Sequence, residues 1–240
     1  MQAHQVIQLP FDEAIVEKTI QNALQKLPHT HARLMYARPA IEVYDNLVMG
    51  DMAKNALLVY LRRHCHKPII DYDEIRTDDF KNVDPGWDFQ FGKRGIRVEV
   101  KSSIPTRGET PEAIIRQRDI KITASHDKGK TWIPVEAITS EIHVQVYFYA
   151  TTYRRGYDQL SDLEAAIRAD KSAARSIIKV EKYHQPLFFG WEGKRQILRY
   201  AATLQPNTWT FPWTNRIYWR CPIAQARSLP ELMEIIDREP

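Results

Sequence analysis

Apolar positions along this chain follow two different periods. Between residues 11 and 27, Val16, Ile20, Ala23, Leu24 and Leu27 fall on one helical face, and Pro28 is expected to end the run. Met49, Met52, Ala53, Ala56, Leu57 and Tyr60 then recur at three and four residues. That spacing predicts a helix capped by Asp45 or Asn46 and closing in Arg62-Arg63-His64. The period next drops to two. Ile96, Val98 and Val100 alternate with Arg97, Glu99 and Lys101, behind the turn-forming Gly92-Lys93-Arg94-Gly95 and the segment Asp84-Pro85-Gly86-Trp87-Asp88-Phe89-Gln90-Phe91. This predicts a β-hairpin whose second strand has an apolar row and a polar row.

Further strands are expected over 120–123, 132–135 and 142–149, the last alternating Val144, Val146 and Phe148 against His143, Gln145 and Tyr147. Ser161-Asp162-Leu163-Glu164 reads as a capping box opening a helical region that reaches Ile178. The stretch 187–223 is aromatic-rich and strand-like. Ser228-Leu229-Pro230-Glu231 is a second capping box, before a short final helix. Helices, mixed strands, a helix and more strands make an α/β or α+β domain. Neither a linker nor a repeat divides residues 1–240.

Composition changes the picture little. The 240 residues are 43% hydrophobic and 27% charged, ordinary for a globular chain large enough to bury a full core. No apolar run is long enough for a membrane helix, and the N-terminus has no secretory pattern. Cys65 and Cys221 are too few for a disulfide framework or a four-cysteine zinc site, which fits a cytoplasmic location. Charge is more informative. The net value is +4, acids crowd between Asp71 and Asp88, and bases collect from Arg94 to Arg118 and in the C-terminal third. An acidic pocket inside a basic surface suits a metal site that receives phosphates.

The hairpin holds the candidate chemistry. Pairing around the turn could bring Asp88 near Glu99, with Lys101 on the same face. Two carboxylates suit a hard divalent cation such as Mg²⁺, and an ammonium can orient water and stabilise charge on phosphorus. The acid-x-Lys triplet alone says little, because Asp79-Phe80-Lys81, Asp119-Ile120-Lys121 and Glu192-Gly193-Lys194 repeat it. Glu99-Val100-Lys101 differs in its alternating strand and in the acid across the turn. A solvated strand face of weak cross-strand pairs is the competing reading.

Gly129-Lys130-Thr131 lacks the upstream glycine of a phosphate loop and reads as a turn at Asp127–Lys130. His64-Cys65-His66 has no second pair at zinc-finger spacing. Trp191, Trp209, Trp213 and Trp219 are interleaved with bases. As candidate DNA contacts, Lys194, Arg195, Arg199, Arg216 and Arg220 rank above the tryptophans, and the segment Arg107–Lys121, including Arg116 and Arg118, is a second candidate surface.

Gly50-Asp51-Met52-Ala53-Lys54 on a helix, then Asp88, then Glu99-Val100-Lys101-Ser102-Ser103, resembles the PD-(D/E)XK nuclease superfamily over about residues 45–150. The resemblance implies a mixed central sheet flanked by helices, the restriction endonuclease-like core. Residues 151–240 would add a recognition or dimerisation part. It implies Asp88 and Glu99 as Mg²⁺ ligands, with Mn²⁺ a possible substitute, and Lys101 as the catalytic lysine. Many members carry an upstream helix acid where this chain has Lys54. Asp51 is the nearest substitute, with Asp45 and Glu42 as further candidates. Gln145 could look into the same cleft. The expected activity is a type II restriction or related defence endonuclease, a homodimer on double-stranded DNA. The alternatives are a structure-selective repair or recombination nuclease and a non-catalytic nucleic-acid-binding module of the same fold.

Overall fold

The computed structural model describes residues 1–32, 38–125, 131–152, 156–211 and 216–240. The whole expected turn at 127–130, with Gly129-Lys130, and Trp213 lie outside these residues. A short strand β1 (Ile7–Gln8) leads into two long helices, α1 (Glu13–Ala32) and α2 (Ala40–His64). Ile15, Val16, Ala23 and Leu27 of α1 pack with Val48, Met52, Ala56 and Leu57 of α2 in one core. The helix α1 runs on past Pro28. Proline removes one backbone donor, and the burial of Ala23 and Leu27 on this interface offsets that loss. The helix α2 opens at Ala40, so neither Asp45 nor Asn46 caps it. Ile41, Val43 and Tyr44 carry its buried face one turn further back.

The chain continues through β2 (Ile69–Asp71), α3 (Tyr72–Ile75), β3 (Phe89–Phe91), β4 (Ile96–Ser103), α4 (Pro111–Gln117), β5 (Ile122–Ser125) and β6 (Ile142–Tyr147). Then come α5 (Leu160–Ala169), α6 (Ala173–Ser176), β7 (Leu187–Gly193), α7 (Lys194–Thr203), β8 (Thr208–Phe211), β9 (Arg216–Trp219) and α8 (Leu229–Arg238). Six strands form a mixed sheet in the order β1-β7-β6-β4-β3-β2. Its one parallel pair is β4 with β6, and β5-β9-β8 form a second, antiparallel sheet. The expected mixed α/β architecture is present.

The two faces of the large sheet bury different rows. Val98, Val100, Val144 and Val146 pack towards α1, α2 and α8. On the other side Tyr147 and Phe189 meet Ile114 and Ile115 of α4, Ile122 of β5, and Ile197 and Tyr200 of α7. Both rows of β6 are therefore buried, including His143 and Gln145, which alternation alone assigns to a polar face.

Other local expectations are corrected. Among residues 132–135, Trp132 makes only an isolated bridge to Ser125, and a short 3-10 turn begins at Val135. The box at Ser161 does not form, because the helix opens two residues earlier with Gln159 at its N-cap, and it ends at Ala169. The strand-like stretch 187–223 is interrupted by α7, whose Ile197 and Tyr200 face the core at helical spacing. The box at Ser228 does form, with the Glu231 carboxylate accepting the Ser228 N–H at 2.8 Å. No helix among the described residues is long and apolar enough to cross a membrane.

Candidate active site

The β3–β4 hairpin sets the site. Phe89 pairs with Val98 and Phe91 with Ile96, so Asp88, one residue before β3, stands opposite Glu99. The Asp88 N–H donates to the Val98 carbonyl at 2.8 Å, and its Oδ2 accepts the Val100 N–H at 2.6 Å. Its second oxygen takes no hydrogen bond from any described residue. Lys101 lies two residues beyond Glu99 on the same strand face, and its ammonium is hydrogen-bonded to Glu99 Oε1.

Registry then extends the row. On β6, His143 is the partner of Glu99 and Gln145 that of Lys101. On β7, Glu192 is the partner of His143. Asp88, Glu99, His143 and Glu192 thus lie side by side across four strands. His143 is buried, with Nδ1 3.0 Å from Glu99 Oε2. That contact is charge-to-ring proximity rather than an aligned hydrogen bond, and both ring nitrogens lack a hydrogen-bond partner.

The two carboxylates are driven apart electrostatically. Burial pushes Asp88 up to about 7, and the Glu99 charge adds to it against the Val100 N–H and Lys54. Burial also penalises the Glu99 charge, but the Lys101 ammonium and His143 outweigh it and hold that acid at about 2. At neutral pH Glu99 is ionised while Asp88 is short of counter-charge, a state that a bound cation relieves. Among the described residues no cluster of three or more His, Cys, Asp or Glu converges to hold a metal. The protein offers two hard-oxygen carboxylates, a donor set that fits Mg²⁺ with its remaining positions on water and phosphate.

The helix-acid position is occupied differently. Lys54 is buried, its ammonium 3.0 Å from Asp71 Oδ1 and also bonded to Asp73. Asp51 is held by Lys26 at 2.6 Å, and Lys26 also reaches Asp73 at 2.8 Å. Of these α2 groups, Lys54 is the one whose charge bears on Asp88. Asp45 accepts from Lys182 at 2.6 Å and from Tyr183 at 2.9 Å, and Glu42 lies 3.9 Å from Arg38. The acids from 71 to 84 do not form an open pocket either. Lysines of α1 and α2 take Asp71 and Asp73, and Arg76 pairs with Asp78 and Asp84, both at 2.7 Å.

The predicted basic contacts divide. Arg118 pairs with Glu109 at 2.8 Å, and Arg220 with Asp119 at 3.0 Å. The Lys194 ammonium donates to the carbonyls of Glu136 and Ile138 at 2.8 and 2.6 Å. Arg195 and Arg199 ride on α7, Arg116 is exposed in the last turn of α4, and Arg216 opens β9. Gln145 does not look into a cleft. Its side-chain amide donates to Lys101 O, Ser103 Oγ and Val146 O, and its oxygen accepts the Lys121 N–H at 3.1 Å.

Two residues beside the site escaped sequence reasoning, His143 and Glu192, the latter with a signal only in hindsight as part of an acid-x-Lys look-alike. Lys121 closes the basic segment Arg107–Lys121 that the sequence offers as a second surface. Comparison with protein-family models, with curated proteins and with solved structures returned no match.

Proposed function

We propose that this chain is a Mg²⁺-dependent DNA endonuclease, with Asp88 and Glu99 as metal ligands and Lys101 as the catalytic lysine. The observation that carries the reading is the β3–β4 register. It sets Asp88 opposite Glu99 and leaves Lys101 on the same face, bonded to Glu99. A bound Mg²⁺ supplies Lewis-acid polarisation of the phosphate and a more acidic water. Glu99 is ionised and ready as a ligand, Asp88 has one oxygen that takes no hydrogen bond from the described residues, and Lys101 presents an ammonium to a phosphate oxygen or to the attacking water. The Val100 N–H and the Lys101 side chain fix the two carboxylates before any ligand arrives.

The proposed substrate is cytoplasmic duplex DNA, as for a restriction or related defence enzyme. Two copies about a two-fold axis would then address both strands. Lys54 in place of a helix acid favours a second reading, a binding module that keeps the fold without cutting. Time courses on supercoiled plasmid with Mg²⁺ or Mn²⁺ separate the two. Asp88→Asn and Lys101→Met should each slow cleavage at least about 100-fold while leaving DNA affinity within a few-fold. Wild-type protein that binds DNA and leaves the plasmid intact in both metals would favour the binding module.

A further inference from the structure

The Gln145 side chain ties three strands together at one point. Its amide holds the Lys101 carbonyl on β4, and its oxygen holds the N–H of Lys121 at the entry to β5. The small sheet is thereby fixed against the catalytic strand, with Lys121 beside Lys101. Lys121 is half-buried, and its ammonium lies 5.3 Å from the centre of the Phe211 ring on β8. Among the described residues it has no ion pair. The charged groups that act on it are all cations: Lys101 of β4, Arg216 of β9 and Arg118 behind α4. Arg118 is already neutralised by Glu109, and Lys101 by Glu99.

An ammonium drawn into protein among other cations, with no carboxylate of the described residues facing it, is an unfavourable arrangement without a ligand. No described residue supplies its counter-ion. Lysine is a point-charge phosphate binder, and the Gln145 bonds set the Lys121 backbone next to the strand that carries Glu99 and Lys101. We infer that Lys121 is a phosphate-binding residue that takes a non-bridging oxygen of the substrate strand next to the phosphate addressed by Lys101. This inference rests on the nuclease reading for the identity of the strand. Lys121 thus makes the small sheet part of the substrate surface, and it accounts for a cation that no described acid neutralises. Burial and the three neighbouring cations also lower its pKa to about 8, so the charge that binds phosphate is lost early on the alkaline side.

The alternative is a lysine that only packs its stem on Phe211. Lys121→Met keeps that packing and removes the charge, so the two accounts differ in sign. Binding of a short fluorescein-labelled DNA duplex, with Ca²⁺ replacing Mg²⁺, is measured across a salt series alongside thermal melting. A phosphate contact predicts that Lys121→Met binds about tenfold more weakly. The slope of log affinity against log salt should shrink by about one, with an unchanged or raised melting temperature. Lys121→Arg should keep the affinity and extend it to higher pH, where wild-type binding fades. Equal affinity and equal salt slope in Lys121→Met overturn the inference, as does a wild-type protein that does not bind the duplex. A wild-type protein that binds the duplex but never cuts it rejects the nuclease reading alone, and the variant affinities then decide Lys121 separately.

Discussion

Glu192 shows how one buried acid makes stability depend on pH. Burial raises it from its ordinary 4.5 to about 7, with the Gly193 N–H and Arg227 only partly opposing. The folded state therefore holds a proton that the unfolded chain has lost. Stability contributed by that proton is full below about pH 4.5, declines as pH rises to about 7, and is absent above it. Glu192→Gln removes this dependence. Its melting temperature should match wild type near about pH 4 and exceed it by several degrees near about pH 8. Melting curves at the two pH values check this, and an equal gap at both would reject it. At this scale Asp88, Glu99 and Lys101 were legible because a period-two strand fixes which side chains share a face and a glycine turn fixes the partner. His143 and Glu192 were not legible, and Lys121 was legible only as the end of a basic segment. They reach the site through β6–β7 registry and through a clamp from Gln145, neither of which is written in local spacing. The look-alike Asp119-Ile120-Lys121 shows the reason: Asp119 turns away to Arg220 and the Cys221 N–H, while the Lys121 N–H is held by Gln145, the strand partner of Lys101.

Among the elements, α2 departs most from the pattern of the resembled nucleases. Its Lys54 lies in a buried network with Asp71 at the end of β2 and Asp73 in α3, while Lys26 of α1 joins Asp51 to Asp73. A buried ion pair that loses one partner leaves an uncompensated charge, costing about 3–5 kcal/mol. Lys54→Met should lower unfolding stability by about that amount in urea titrations. Lys54→Glu, which restores the acid of the resembled family, should be worse still, because it sets a third carboxylate against Asp71 and Asp73. A Lys54→Glu protein as stable as wild type would show that the network contributes little. The helices α1 and α2 and the hairpin were readable from periodicity, and α8 from its capping box at Ser228. The helix α7 was hidden by its aromatic neighbours. The early start of α2 was hidden because Asp45 looks like a cap in sequence, but is buried against Lys182 and Tyr183.

Across the whole molecule, the large sheet separates a helical core from a second core closed by α4, α7 and the small sheet. The row from Asp88 to Glu192 lies on the second side, so residues 187–223 flank the proposed active site rather than forming a detached appendage. Gln145 is the joint between the sheets. Gln145→Ala should loosen the small sheet and weaken duplex binding through Lys121, while Mg²⁺ binding by calorimetry stays close to wild type. Loss of Mg²⁺ binding in a folded Gln145→Ala protein would mean that the two parts are not separable. The most direct test of the central claim is conversion of supercoiled plasmid in Mg²⁺ by folded wild-type and Glu99→Gln proteins, side by side. The account predicts nicked and linear DNA from wild type, abolished by EDTA and reduced at least about 100-fold in Glu99→Gln. Cleavage by Glu99→Gln at the wild-type rate would contradict it.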